Sequence, residues 1–169
     1  MRTSDFDYYL PEKLIAQIPI EPRDHSKLML VERDQGAISH DRFFNLPKYL
    51  RQGDLLVFND SRVIPARLYG SRDDTGNKIE LLLLTRLREG FWRALVRPGR
   101  RMRENDSFII HDGDGNKSEM TGQVLEVEES GSRIVEITNE FLIEDVGNVP
   151  LPPYIHEKMS DPERYQTIY

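Results

Sequence analysis

The chain has 169 residues, 38% hydrophobic and 31% charged, with a formal net charge of −6. No apolar run approaches the roughly 18 residues of a membrane helix, the acidic N-terminal stretch lacks the apolar segment of a secretory signal, and zero cysteines exclude disulfides, thiolate metal sites and cysteine nucleophiles. What remains is a globular chain with material for one moderate core or two small ones, and a cytoplasmic location is the plain expectation.

The first sixty residues mix helix and strand signals. A short helix is predicted from about Pro11, carrying Leu14, Ile15 and Ile18. PIEPRDHSK follows as a loop, and 28–31 reads as a strand. Ser39 or Asp41 is placed to cap a helix bearing Phe43, Phe44 and Leu46, and Gly53-Asp54 leads into an apolar run at 55–58 that predicts a buried strand ending at Asn59-Asp60. The middle differs. Six β-rich runs, at 63–69, 78–86, 91–97, 107–110, 123–127 and 133–137, are separated by turn-forming clusters such as DDTGN and DGDGN. Their spacing predicts a small antiparallel barrel or sandwich. Asn139 is then placed to cap a short helix, 140–146, and NVPLPPYI should run extended, because each proline fixes its own φ and restrains its predecessor. The expected organisation is a multi-domain α+β chain: a discontinuous, incomplete α/β domain of 1–61 and 139–169, with a β domain of 62–138 inserted in it. The sequence closes on DPERYQTIY with no terminal helix or polar tail, which reads as an interruption within a domain.

Few residues announce chemistry on their own. The four histidines show no metal-ligand spacing, and DGDGN at 112–116 reads as a hairpin turn, since it lacks the twelfth-position carboxylate of a calcium loop. Asp60-Ser61-Arg62 follows an apolar run, where side chains can line a crevice or simply form an Asx-turn. Arg23-Asp24-His25-Ser26 is a dense polar loop, suited to an anionic or zwitterionic ligand or to an internal ion pair. Between 86 and 104 the chain holds seven arginines against two glutamates, a local charge of +5. This is either a solvated strand edge or a phosphate-contacting surface. Trp92 alternates with Arg93 and reads as core rather than as a platform for stacking bases. Tyr165, Gln166 and Thr167 offer hydroxyl and amide groups without a defined role.

Six long segments carry a resemblance. DFDYYLPEKLIAQIPIEPRDHSKLMLV (5–31), GDLLVFNDSRVIPARLYG (53–70), KIELLLL (78–84), FWRALVRPGRRMR (91–103), GNVPLPPYI (147–155) and DPERYQTIY (161–169) resemble, in order, the characteristic stretches of the queuosine ribosyltransferase-isomerase family. Ser61 stands where that family usually has threonine, and Lys27 where arginine is common. The resemblance implies a small β-barrel domain inserted in a larger α/β barrel-like domain. It also implies a chain about twice as long, with the remainder of the enzyme as an expected partner, because an APTAGLHFT-like segment of the family falls beyond residue 169.

The activity implied is transfer and isomerisation of the ribosyl group of S-adenosylmethionine to 7-aminomethyl-7-deazaguanine at the wobble position of tRNA, giving epoxyqueuosine-tRNA, adenine and methionine. S-adenosylmethionine would be a substrate, and no metal or membrane is expected. The protein is expected to be a monomer or a weak homo-oligomer. Such chemistry needs a base beside the sulfonium, a carboxylate to balance its charge, and a donor for departing adenine. The resemblance makes Asp60 the candidate for base or charge balance and Arg62 the group that orients it or holds the methionine carboxylate. Arg23, Asp24 and Ser61 would shape the donor pocket, with Tyr165 and Gln166 as further candidates. Arg93, Arg97, Arg100, Arg101 and Arg103 become candidate tRNA-phosphate contacts. The alternatives are a non-catalytic tRNA- or ligand-binding portion of such an enzyme and a structural β-barrel protein.

Overall fold

The computed structural model describes residues 2–157 and 161–166. The chain divides into two compact units, one of residues 1–61 and 152–169, the other of residues 62–151.

The second unit is a closed six-stranded antiparallel barrel. Its strands are β3 (Arg67–Arg72), β4 (Lys78–Arg88), β5 (Phe91–Arg97), β6 (Ser107–His111), β7 (Lys117–Val127) and β8 (Arg133–Ile137), and they close in the order β3-β4-β5-β8-β7-β6. All six β-rich runs of the sequence form strands, in which side chains point alternately to the two faces with a period of two, so that burial alternates even through the four consecutive leucines of β4. In β4 this sends Ile79, Leu81 and Leu83 inward, and in β5 it sends Trp92, Ala94 and Val96 inward. Phe108, Ile110, Met120, Val124, Val135 and Ile137 complete one continuous core with them. Closure of the barrel rests on β3 meeting β6, with Gly70 opposite Ile110. A Cβ at Gly70 would lie 2.2 Å from the Ile109 carbonyl oxygen, and one at Gly122 would lie 2.5 Å from the Phe108 ring, so only glycine fits at either place.

After β8, a 3-10 turn (Glu140–Leu142) and the one-turn helix α1 (Ile143–Val146) put Ile143 and Val146 into the same core. Asn139 adopts a left-handed conformation, and its amide donates to the Glu119 carbonyl instead of capping the turn. Arg67 and Asn148 exchange backbone hydrogen bonds of 3.0 and 2.8 Å, which tie the stretch after α1 to β3 within the barrel unit.

The first unit contains the hairpin of β1 (Lys27–Val31) and β2 (Ile38–Arg42), with five single-turn or short 3-10 segments among the described residues. The helices expected from Pro11 and across 43–50 are 3-10 segments, Glu12–Leu14 and Phe43–Tyr49, and the latter is interrupted by Pro47. The strand expected at 55–58 is not formed. Leu55 and Val57 are 85% and 86% exposed, and no ladder partner lies beside them among the described residues. A strand exists only through its neighbour's hydrogen bonds and the face it buries. Every buried hydrophobic residue of the described chain lies between Ala66 and Val146, in the barrel unit.

Candidate functional site

In the first unit, a 3-10 turn (Arg23–His25) positions the polar loop found in the sequence. Arg23 Nη1 donates to the carbonyls of Arg164 at 2.9 Å and Gln166 at 3.2 Å. Arg164 answers by donating to the Ile20 carbonyl at 3.2 Å and pairing with Glu21 at 2.7 Å. Two candidate segments some 140 residues apart in sequence are thereby clamped together by reciprocal arginines. Tyr165 is half-buried there and Gln166 is buried, while Asp24 is exposed. Gln17 adds a second tie by donating to the Tyr154 carbonyl at 2.9 Å and accepting from the His156 amide at 2.8 Å. His25 packs against Phe44 with ring centroids 5.1 Å apart, and its carbonyl accepts from Arg42. Thr167, grouped with Tyr165 and Gln166 in the sequence, lies outside the described residues.

Asp60 and Ser61 close the first of the two stretches of the first unit, and Arg62 opens the second unit. All three are exposed. The Asx-turn is present with Asn59 as its acceptor, which takes the Ser61 amide at 2.9 Å.

On the barrel the structure sorts the arginine-rich stretch into two groups. Arg93 makes a two-pronged bond to Glu128 at 2.9–3.1 Å. The guanidinium holds the Glu128 carboxyl below its usual range, and the Ser132 hydroxyl at 2.6 Å reinforces the effect. Arg86 pairs with Glu140, which also accepts the Trp92 indole N–H at 2.8 Å. Burial pushes the Glu140 carboxyl up, but the Arg86 and Trp92 hydrogen bonds, together with the Gly90 backbone and the Arg86 charge, outweigh it and leave the group lowered. Arg88 lies 3.8 Å over the Phe91 ring. By contrast Arg97, Arg100, Arg101 and Arg103 are exposed, on the end of β5 and on the 3-10 turn (Gly99–Arg101) that follows it. A groove of about 740 Å³ beside Trp92 and Phe141 is flanked by Glu89, Glu136, Glu140 and Glu144 against Arg86, which makes it unsuited to phosphate.

Two arginines that sequence reasoning misses join the exposed group from below. Arg72, at the end of β3, donates to the Arg101 carbonyl, and Arg133, at the start of β8, donates to the Gly99 carbonyl at 2.6 Å. The sequence does hold a signal for Arg133: an arginine on the same alternating face as Val135 and Ile137. Among the described residues no group of three or more His, Asp or Glu is placed to hold a metal ion. No helix among them is long and apolar enough to cross a membrane.

The family model described as queuosine biosynthesis protein matches residues 3–169. The S-adenosylmethionine:tRNA ribosyltransferase-isomerase of Symbiobacterium thermophilum is 50% identical over 173 residues, covering 100% of this chain and 49% of that protein. The same-named protein of Dehalococcoides mccartyi is 47% identical over 169 residues, with 100% and 49% covered. The crystal structure of the S-adenosylmethionine tRNA ribosyltransferase of Thermotoga maritima shares 44% identity, covering 85% of this chain and 48% of that one, at a TM-score of 0.41. The chain spans about half the length of the curated relatives it matches. With a match that runs from residue 3 to residue 169, the chain belongs to the queuosine biosynthesis protein family.

Proposed function

We propose that this chain is part of an S-adenosylmethionine:tRNA ribosyltransferase-isomerase, acting on 7-aminomethyl-7-deazaguanine at the tRNA wobble position. The observation that carries the reading is the match to relatives of that name over the full chain at up to 50% identity. In the reaction a proton is lost from the carbon beside the sulfonium, where positive sulfur stabilises the carbanion. The sugar ring rearranges with expulsion of adenine, and the aminomethyl nitrogen attacks the sugar as methionine leaves. The methyl group stays on methionine.

Asp60 is assigned charge balance or base chemistry. Arg62 orients it or holds the methionine carboxylate, and Arg23, Asp24 and Ser61 shape the donor pocket. The reciprocal tie of Arg23 to the Arg164 and Gln166 carbonyls supports placing Tyr165 and Gln166 beside that pocket. The arginines Arg97, Arg100, Arg101 and Arg103 contact tRNA phosphates, with Arg93 held against Glu128 alongside them.

Because the chain spans half of its relatives' length, a second reading stands beside the first: binding of tRNA or ligand without turnover. Adenine release from S-adenosylmethionine by this chain separates them, measured with tRNA that carries the aminomethyl base and with tRNA that lacks it. Release that requires the modified base supports the enzyme. Salt-dependent tRNA binding without release selects the binding portion. A folded chain that shows neither would be a structural barrel, and both readings would be lost.

A further inference from the structure

The turn after β5 is held in place by one buried and one half-buried arginine and by a core methionine. Met102, one residue past it, is 1% exposed and anchors the segment in the barrel core. The Arg101 and Met102 amides close the turn on the Pro98 and Gly99 carbonyls at 3.1 and 3.2 Å. Arg133 is only 8% exposed, and its two terminal nitrogens donate to carbonyls of two different turns, Gly99 and Gly131. Arg72 reaches the Arg101 carbonyl while Asp74, at 2.7–2.9 Å, and Asp106, at 2.9 Å, fix its guanidinium. Asp106 completes the circuit by accepting the Arg103 amide at 2.6 Å.

Fold stability is a poor explanation for a guanidinium at position 133. Its Nε is buried with no hydrogen-bond partner among the described residues, which costs free energy, and apolar residues of similar volume often replace buried charges without loss. What an apolar side chain lacks is a rigid planar fork that reaches two carbonyls at once. The same fork gives the Gly99 carbonyl, which already accepts the Met102 amide, a second and cationic donor, and so offsets its negative end beside the segment that carries Arg97, Arg100, Arg101 and Arg103.

We infer that Arg133 and Arg72 are positioning residues that preform the 97–103 segment as a contact surface for the phosphate backbone of RNA. Each holds one carbonyl of the Gly99–Arg101 turn, and neither touches phosphate itself. The four exposed arginines then meet the polyanion as an ordered set, so less conformational entropy is lost on binding. The inference rests on the RNA-binding reading proposed above.

The experiment is a binding isotherm of the 169-residue chain with an unmodified, fluorescently labelled tRNA transcript, repeated over a range of salt concentrations. Replacing Arg97, Arg100 and Arg101 by alanine tests the reading underneath: affinity should drop, and the log–log salt slope should flatten by about 0.7 to 0.9 for each phosphate that is no longer neutralised. Unchanged affinity and slope in that variant would remove the RNA reading, and this inference with it.

If that variant behaves as expected, Arg133→Lys decides the positioning role. Lysine keeps the charge but not the fork, so tRNA affinity should fall about tenfold. Faster exchange of the Arg101 and Met102 amides should accompany the loss while the barrel strands stay protected. Arg72→Lys provides an independent route should position 133 prove necessary for folding, with the same expectation. Wild-type affinity in a folded Arg133→Lys or Arg72→Lys chain would overturn the inference, because charge alone would then suffice.

Discussion

Asp41, the penultimate residue of β2, holds three donors on one carboxylate: the Tyr49 hydroxyl at 2.6 Å, the Asn45 amide at 2.8 Å and the Arg42 backbone at 2.8 Å. The sequence suggests Asp41 as a helix cap. It does organise the 3-10 segment, but through the side chains of Asn45 within it and Tyr49 at its end. The Tyr49 hydrogen bond, with smaller help from Asn45 and Arg42, lowers its pKa to about 2 from 3.8. A folded-state pKa below the unfolded one stabilises the segment at pH values above about 3.8, and that contribution is lost as pH falls through about 2. NMR titration of the Tyr49 ring and Asn45 side-chain amide should show a shared midpoint near 2 that Asp41→Asn abolishes. A midpoint at or above 3.8 would contradict the arrangement. Trp92 makes the same point about legibility: alternation alone places its ring in the core, but its Glu140 partner, 48 residues away, requires the fold.

At the scale of elements, the barrel is readable because each strand carries its own instructions. Period-two burial and turn chemistry are local, and they specify all six strands from 67 to 137. The first unit is not readable in that way. Leu55 and Val57 lie in a run of strong strand propensity, yet propensity alone does not supply a sheet to join, and both stay exposed. The two-stranded hairpin β1–β2 has no buried hydrophobic residue, so its opening is a local event, whereas the barrel core opens only with the whole unit. Native-state hydrogen exchange should therefore show β1 and β2 amides exchanging at least about a hundredfold faster than those of Leu81, Ala94 and Val124. Equal protection across both units would mean that the hairpin is held by packing the structure does not contain.

Over the whole molecule, the net charge of −6 conceals a turn whose exposed side chains are nearly all arginine, and electrostatics near a polyanion depend on that local field. The family is legible from long segments in order. The division of labour among the arginines is not, because ion pairs such as Arg93–Glu128 and the carbonyl contacts of Arg72 and Arg133 join residues 29 to 35 apart. The proposed activity requires that the ribosyl group, and not the methyl group, of S-adenosylmethionine reaches tRNA. The direct test supplies S-adenosylmethionine labelled in the ribose carbons with one isotope and in the methyl group with another, together with tRNA bearing the aminomethyl-deazaguanine. Ribose label should be bound to tRNA and methyl label recovered in free methionine. Methyl label on the tRNA, or no ribose label there from a folded chain, would contradict it.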